Sequence, residues 1–202
     1  HDSDGISDED MWKQLQKEYK DKYDMSWIGQ YGFNNTYALI IREEAAKKYN
    51  LTKTSQLADV SDELVFGGNS DYIERKDGFH LLCDTYGLKF KDVKDIDIGL
   101  KYEALKKGDI DVSNGFTTDA QLSNDNVRVL EDDKHLQVNY FCSNVVRNDT
   151  LKSHPGLEEA IMKLDNSITD KEMASLNYKV EVEGKEDVQV AKDYLTEKGI
   201  IK

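Results

Sequence analysis

The sequence is poor in proline and cysteine. Pro155 is the one proline among 202 residues, where an average usage of about 5% would give roughly ten. This scarcity excludes a stiff proline-rich linker and a PxxP recognition segment. The two cysteines, Cys83 and Cys142, are too few for a disulfide framework, and they leave open either a single bridge or two buried thiols.

Long apolar runs are also missing. No stretch approaches the roughly 18 consecutive apolar residues of a membrane-spanning helix, and no charged-then-apolar leader opens the chain. We therefore expect a chain that neither crosses a membrane nor carries its own export signal. If the protein works outside the cell, we expect its anchor or leader to lie outside this sequence.

Positive charge is in deficit, because 27 Lys and Arg residues face 40 Asp and Glu residues and give a formal net charge of -13. This balance excludes nucleic acid as a default partner, since neutralising phosphates requires a basic face. Charged residues make up 33% of the chain, above the usual level of about 25%, yet 2 Trp, 11 Tyr and 6 Phe residues can supply a core. The composition predicts an ordered, acidic protein.

Motifs of enzymes and of metal or cofactor sites are absent from the sequence. The four histidines are scattered, without HExxH or zinc-type spacing, and there is no GxSxG, Walker-A or GxGxxG segment. Gly67-Gly68 fits either an anion-binding turn or a plain tight turn, and the many carboxylates single out no acid–base pair. We therefore predict no catalytic residue, no metal and no cofactor.

Short apolar runs alternate with helical segments, which favours an α/β fold with a mostly parallel sheet. The run YALII at Tyr37 to Ile41 is typical of a buried strand. Further strands are predicted at 24–28, 64–66, 93–98, 110–112, 127–130 and 140–146. Helices are predicted at 8–22, 42–49, 55–59, from Ser70 to a stop at Gly87, at 102–107, at 118–122, and three times after residue 154.

Several helix ends carry recognisable signals. Ser7 precedes an acidic first turn and predicts an N-cap, and Thr169 with Glu172 forms a capping-box pattern. Pro155 is expected in the first turn of a helix. Tyr102 is expected in the core, and Asp119 is expected to cap the helix that follows it.

Six ordered blocks resemble those of a known family: YGFNNTYAL (31–39), YIERKDG (72–78), GLKYEALKKGDIDV (99–112), GFTTDAQL (115–122), VLEDDK (129–134) and LNYKVEVEGK (176–185). They look like the substrate-binding proteins, or permease-fused substrate-binding domains, of osmoprotectant ABC importers for glycine betaine, carnitine and choline. The resemblance covers nearly the whole chain.

The resemblance implies a periplasmic-binding-protein type II fold, in which two α/β lobes joined by a two-strand hinge close on a quaternary ammonium ligand. Residues 1–36 with 139–202 would form part of lobe one, and residues 37–138 would form lobe two. Members of the family begin with roughly 70 further residues, enough for the first strands of a lobe. We therefore expect lobe one to be incomplete in this chain.

The same resemblance implies four ligand-binding residues. Tyr37 and Tyr140 match tyrosines of the aromatic cage, Phe116 stands where the family often has tyrosine, and Arg75 matches an arginine that pairs with a ligand carboxylate. Before Tyr140 the family usually has Phe-Pro-Pro, whereas this chain has Gln-Val-Asn at 137–139.

The function implied by the resemblance is that of an extracytoplasmic solute-binding component working with an ABC permease at the outer face of the cytoplasmic membrane. The chain would be held there by a lipid anchor or by fusion to its permease. Three alternatives stay open, namely a ligand-sensing domain of the same fold without transport, an enzyme built on this fold, and a chain that is only a stable scaffold and binds nothing.

Overall fold

The computed structural model of the protein describes residues 5–123 and 126–201. Its strands are β1 (Met25–Ile28), β2 (Tyr37–Arg42), β3 (Val65–Gly68), β4 (Asp92–Asp95), β5 (Val112–Phe116), β6 (Val127–Leu130) and β7 (Asn144–Arg147). Its α-helices are α1 (Asp8–Tyr23), α2 (Glu43–Tyr49), α3 (Ser70–Glu74), α4 (Phe79–Tyr86), α5 (Lys101–Lys107), α6 (Asn148–Ser153), α7 (Leu157–Met162), α8 (Asp170–Glu181) and α9 (Asp187–Glu197). Short 3₁₀ turns occur at Thr54–Asp59, Ser61–Glu63 and Ala120–Ser123.

Five strands form one sheet in the order β4-β3-β5-β2-β6, and β1 pairs with β7 in a separate antiparallel sheet. In the larger sheet β3, β4, β5 and β6 point in one direction, while β2 runs antiparallel to both of its neighbours, β5 and β6. This five-stranded sheet is therefore mixed, and the predicted parallel arrangement holds for each of its strands except β2. The carboxyl ends of four strands and the start of β2 meet at one edge.

The sequence of β2 explains why this strand lies at the centre of the molecule. Its apolar residues alternate between two cores, because Leu39 and Ile41 pack with Phe66 on one face and Ile40 packs with Leu105 on the other. Ile40 and Ile41 are both fully buried. A strand covered on both faces needs a continuous apolar run, which is what YALII supplies.

Two of the predicted helix caps are confirmed. The Ser7 hydroxyl accepts a hydrogen bond from the Asp10 N–H at 3.1 Å, and Thr169 and Glu172 form a reciprocal capping box. Pro155 was wrongly predicted in a helical first turn. It lies in the turn between α6 and α7, and α7 begins only after Gly156.

The helix predicted from Ser70 to Gly87 is interrupted. Residues 75–78 leave the helical path, so that α3 ends at Glu74 and α4 begins at Phe79. Gly78 packs so closely under α3 that a Cβ at this position would lie 2.2 Å from the Tyr72 carbonyl oxygen. The break places Arg75 at a corner and not on a continuous helix.

Smaller corrections concern element boundaries. The predicted strands at 93–98, 110–112 and 140–146 are found at Asp92–Asp95, Val112–Phe116 and Asn144–Arg147, and the helix predicted at 118–122 is a 3₁₀ turn at Ala120–Ser123. The Tyr102 ring packs against the core around Ile40, as expected. Asp119 does not cap the following turn with its side chain, since its carboxylate turns back to the N–H of Phe116.

Cys83 and Cys142 are free thiols, and both are half-buried. Burial raises the pKa of the Cys83 thiol to about 11 and also raises that of Cys142, so neither is a reactive thiolate near neutral pH. Within residues 5–123 and 126–201 there is no cluster of three His, Cys, Asp or Glu side chains suited to a metal. No helix in those ranges is both long and apolar enough to cross a bilayer.

We predict that Gly78→Ala destabilises the fold, because the new Cβ must displace the main chain at Tyr72. The expected loss of unfolding free energy is about 1–3 kcal/mol, measured by urea denaturation. Gly99→Ala is the matched control, because the nearest atom to a Cβ there is the flexible Asp97 carboxylate at 3.3 Å. If the two variants were equally stable, the main chain between α3 and α4 would have accommodated the new Cβ without an energetic cost, which would contradict this prediction.

Candidate ligand-binding site

An aromatic pair lies at the sheet edge where the carboxyl ends of four strands meet. Tyr37 begins β2 and Phe116 ends β5, and the antiparallel register places the two residues directly opposite each other. Their ring centroids are 4.8 Å apart with an interplanar angle of 26°, and both side chains are half-buried. Open α/β sheets bind ligands at this kind of edge.

A third ring supports the pair from the core side. The centroid of Tyr72, in α3, lies 5.6 Å from that of Tyr37, and Tyr72 is only 7% exposed. Burial is the main cause that raises the pKa of the Tyr72 phenol, so the hydroxyl stays protonated. Sequence reasoning did not single out Tyr72, although it opens the block YIERKDG that contains Arg75.

Arg75 lies at the corner after α3, close enough to Tyr37 for the phenol to contribute to its raised pKa. Its Nε donates to Asp77 Oδ1 at 2.9 Å and its Nη2 to Asp77 Oδ2 at 2.5 Å, and its side chain is 53% exposed. The hydrogen bonds and charge of Asp77 raise the pKa of Arg75, with smaller contributions of the same sign from Tyr37 and Tyr140. In return the hydrogen bonds from Arg75 lower the pKa of Asp77.

Tyr140 lies in the second of two connections between the sheets, which we define as residues 29–36 and residues 131–143. Its N–H donates to Asn34 Oδ1 at 2.6 Å, and its carbonyl oxygen accepts from the Asn35 N–H at 3.1 Å. The main chain of Tyr140 is therefore fixed, while the residue as a whole is 58% exposed.

The segment before Tyr140, where the family usually has two prolines, is held by side chains. Thr36 Oγ1 donates to the Val138 carbonyl oxygen at 2.6 Å, and Asn34 Nδ2 donates to Asn139 Oδ1 at the same distance. The Gln137 N–H donates to an Asp132 carboxylate oxygen at 2.7 Å. These bonds supply the rigidity that proline would otherwise give.

The four residues predicted from the sequence thus lie in one region, but they do not all line one enclosed cavity. Tyr37 and Phe116 are in contact, and the Arg75 guanidinium lies close enough to Tyr37 and Tyr140 for both to contribute to its raised pKa. A hollow of about 320 Å³ between the 131–143 connection and α4 is lined by Tyr37 but not by the other three. Those three are exposed or half-buried.

A second hollow, of about 830 Å³, lies between β6, α2 and α8. It is lined by charged, hydroxyl-bearing and aliphatic side chains, among them Glu43, Arg128 and Asp170, and no aromatic residue of the described chain borders it. The Glu43 carboxylate is paired with Arg128, whose hydrogen bonds are the main cause that lowers the pKa of Glu43. This hollow offers no aromatic face to a cation.

Together the mixed sheet, the two connections and the aromatic edge define a solute-binding domain of the periplasmic-binding-protein type II fold. A family model described as "Substrate binding domain of ABC-type glycine betaine transport system" matches residues 6–197. The chain belongs to this family.

Two curated relatives are similar over most of the chain. The "Ergothioneine transport permease/ergothioneine binding protein EgtU" of Helicobacter pylori (strain G27) is 38% identical over 186 residues, which cover 92% of this chain and 34% of that protein. The "Carnitine transport binding protein OpuCC" of Listeria monocytogenes serotype 1/2a (strain 10403S) is 36% identical over 182 residues, which cover 90% of this chain and 59% of that protein. The chain therefore spans about a third and about three-fifths of these relatives.

A solved structure supports the fold directly. The "Crystal structure of glycine betaine/carnitine/choline ABC transporter" matches with a TM-score of 0.89 at 36% identity, covering 96% of this chain and 71% of that one. The fold class predicted from the sequence is confirmed.

Proposed function

We propose that this chain is the solute-binding domain of an ABC importer and that it binds a quaternary ammonium compound. Glycine betaine, carnitine, choline and related betaines such as ergothioneine are the candidates. The observation that carries the proposal is the stacked pair Tyr37 and Phe116 at the carboxyl edge of the sheet, with Arg75 near Tyr37.

The chemistry of the ligand explains why aromatic rings are needed. A quaternary ammonium has no N–H to donate, so a protein recognises it through the electron-rich faces of aromatic rings. Each ring contributes about 0.5–2 kcal/mol, and Tyr37, Phe116 and Tyr140 together give about 1.5–6 kcal/mol. A micromolar ligand needs about 8 kcal/mol, so further contacts must add to the rings.

Arg75 supplies a group that fits the other end of a betaine. A guanidinium has five N–H donors, and Asp77 occupies two of them, which leaves three for a ligand carboxylate. The Arg75–Asp77 pair also keeps the fork in one orientation before the ligand arrives. The geometry therefore favours a zwitterionic betaine over choline.

The two connections suit a hinge. We propose that residues 1–36 with 139–202 belong to one lobe and residues 37–138 to the other, with the ligand between them. The ligand favours the closed form because only there do both lobes contact it, and the permease recognises that form. Such a domain works outside the cytoplasmic membrane, tethered by a lipid anchor or by fusion to the permease, and it binds its ligand without chemical turnover.

Calorimetry on the full-length protein with glycine betaine, carnitine, choline and ergothioneine tests this function. We expect at least one of them to bind and to be recovered unchanged. A neutral choline isostere, 3,3-dimethylbutan-1-ol, should bind at least about tenfold more weakly, because it fills the same space without charge. Absence of heat with all four compounds would contradict the proposal, and turnover of a bound compound would indicate an enzyme.

Arg75→Ala tests the role of the guanidinium. We expect affinity for glycine betaine and carnitine to fall on the order of tenfold or more, because the carboxylate loses charge-assisted hydrogen bonds, while affinity for choline changes little. Lys76→Ala is the matched control, since it removes the same charge from the exposed neighbouring position. Equal losses for choline and the betaines would show that Arg75 acts on the fold of the corner and not on the ligand.

A further inference from the structure

Three hydrogen bonds converge on one carboxylate oxygen behind the aromatic pair. Asp119 Oδ2 accepts from the Phe116 N–H at 3.1 Å, from the Tyr102 hydroxyl at 2.5 Å and from Lys101 Nζ at 3.2 Å. Lys101 and Tyr102 belong to α5, whereas Phe116 ends β5. The carboxylate thus ties the end of a strand to a neighbouring helix.

The cluster is largely shielded from solvent, and its two charged groups are paired with each other. Lys101 is only 7% exposed, and the Asp119 side chain is 21% exposed. An ammonium removed from water is unfavourable unless it is paired, and Asp119 provides the partner. Burial first, and the Asp119 charge second, raise the pKa of Tyr102, so its hydroxyl remains a donor at neutral pH.

Gly115 shows how closely this cluster fits the strand. A Cβ at Gly115 would lie 2.9 Å from Asp119 Oδ2, 3.1 Å from the Tyr102 hydroxyl oxygen and 2.1 Å from Ile40 Cδ1. A side chain at this position would push the carboxylate away from the Phe116 N–H. Glycine is therefore the residue that lets Asp119 reach the main chain of Phe116.

The loop between Phe116 and Asp119 also holds the first connection between the sheets. The Thr117 hydroxyl donates to the Asn34 carbonyl oxygen, and the Thr117 N–H donates to the Thr36 carbonyl oxygen at 3.1 Å. The Thr118 hydroxyl donates to Asn35 Oδ1 at 2.8 Å. A loop anchored at one end by the buried cluster and bonded to residues 34–36 fixes Phe116 relative to Tyr37.

We propose that Asp119 is a positioning residue for cation recognition and that it acts on the ligand through Phe116. This inference rests on the proposed function. By holding the N–H of Phe116 against α5, Asp119 keeps the ring in its stacked position against Tyr37 at the carboxyl edge of the sheet, where the half-buried pair can meet a methylated nitrogen. Asp119 itself touches no ligand.

A double-mutant cycle tests this coupling, with glycine betaine and choline as the calorimetric probes and with wild type, D119N, F116A and D119N/F116A as the proteins. In the wild-type background we expect D119N to weaken binding about tenfold, within the roughly 2- to 30-fold that one ring is worth. In the F116A background the same change should have almost no further effect, because the ring that Asp119 positions is already gone.

Two further variants keep the test decisive. Tyr102→Phe removes one donor from the cluster without changing its packing. It should weaken ligand binding less than D119N does, and it too should have almost no effect in the F116A background. This variant keeps the test available if D119N folds poorly. Glu103→Gln on the exposed face of α5 removes the same charge as D119N and should leave binding unchanged. If D119N lost as much affinity in the F116A background as in the wild-type background, this inference would be overturned and the proposed function would stand. If the wild-type protein bound neither probe, both the inference and the proposed function would be overturned.

Discussion

The antiparallel register of β2 against β5 is the constraint on which the site depends. It places the first residue of one strand opposite the last residue of the other, so that Tyr37 and Phe116 stack. A slip of one residue would turn the side chains of β2 to the opposite face, removing Tyr37 from Phe116 and Ile40 from its core. Burial of apolar side chains on both faces of β2 therefore fixes the aromatic pair as well as the fold.

The polar groups around the pair are largely bonded to one another. Arg75 is held by Asp77, the Phe116 main chain by Asp119, and the Tyr140 main chain by Asn34 and Asn35. This arrangement limits the rearrangement that a ligand must cause. A preorganised surface of this kind suits a ligand whose ammonium group offers no hydrogen bond of its own.

Local signals in the sequence were sufficient for features that depend on neighbouring residues. The Ser7 cap, the Thr169–Glu172 capping box and the buried strand at YALII all follow from contacts within a few residues or from a single apolar run. The break at Gly78 could not be predicted in this way, because its cause is the packing of that glycine against the Tyr72 carbonyl group. Nor does hydrophobic pattern reveal that β2 runs against its neighbours.

The candidate site likewise contains residues that the sequence identified and residues that only contacts between separate elements reveal. The family resemblance proposed Tyr37, Arg75, Phe116 and Tyr140, and the structure brings them into one region, while their role as ligand-binding residues stays a prediction. The supporting ring of Tyr72 and the true partners of Asp119 were missed, because both depend on contacts between separate elements. Asp119 resembled a helix cap because that is the local use of such a residue.

A crystal structure of the full-length protein with bound glycine betaine tests the central claim most directly. We predict that the ammonium nitrogen lies within about 6 Å of the ring centroid of Tyr37 or Phe116, with the carboxylate on the side of Arg75. A ligand found instead in the hollow beside Glu43 and Arg128, without contact to either ring, would contradict it.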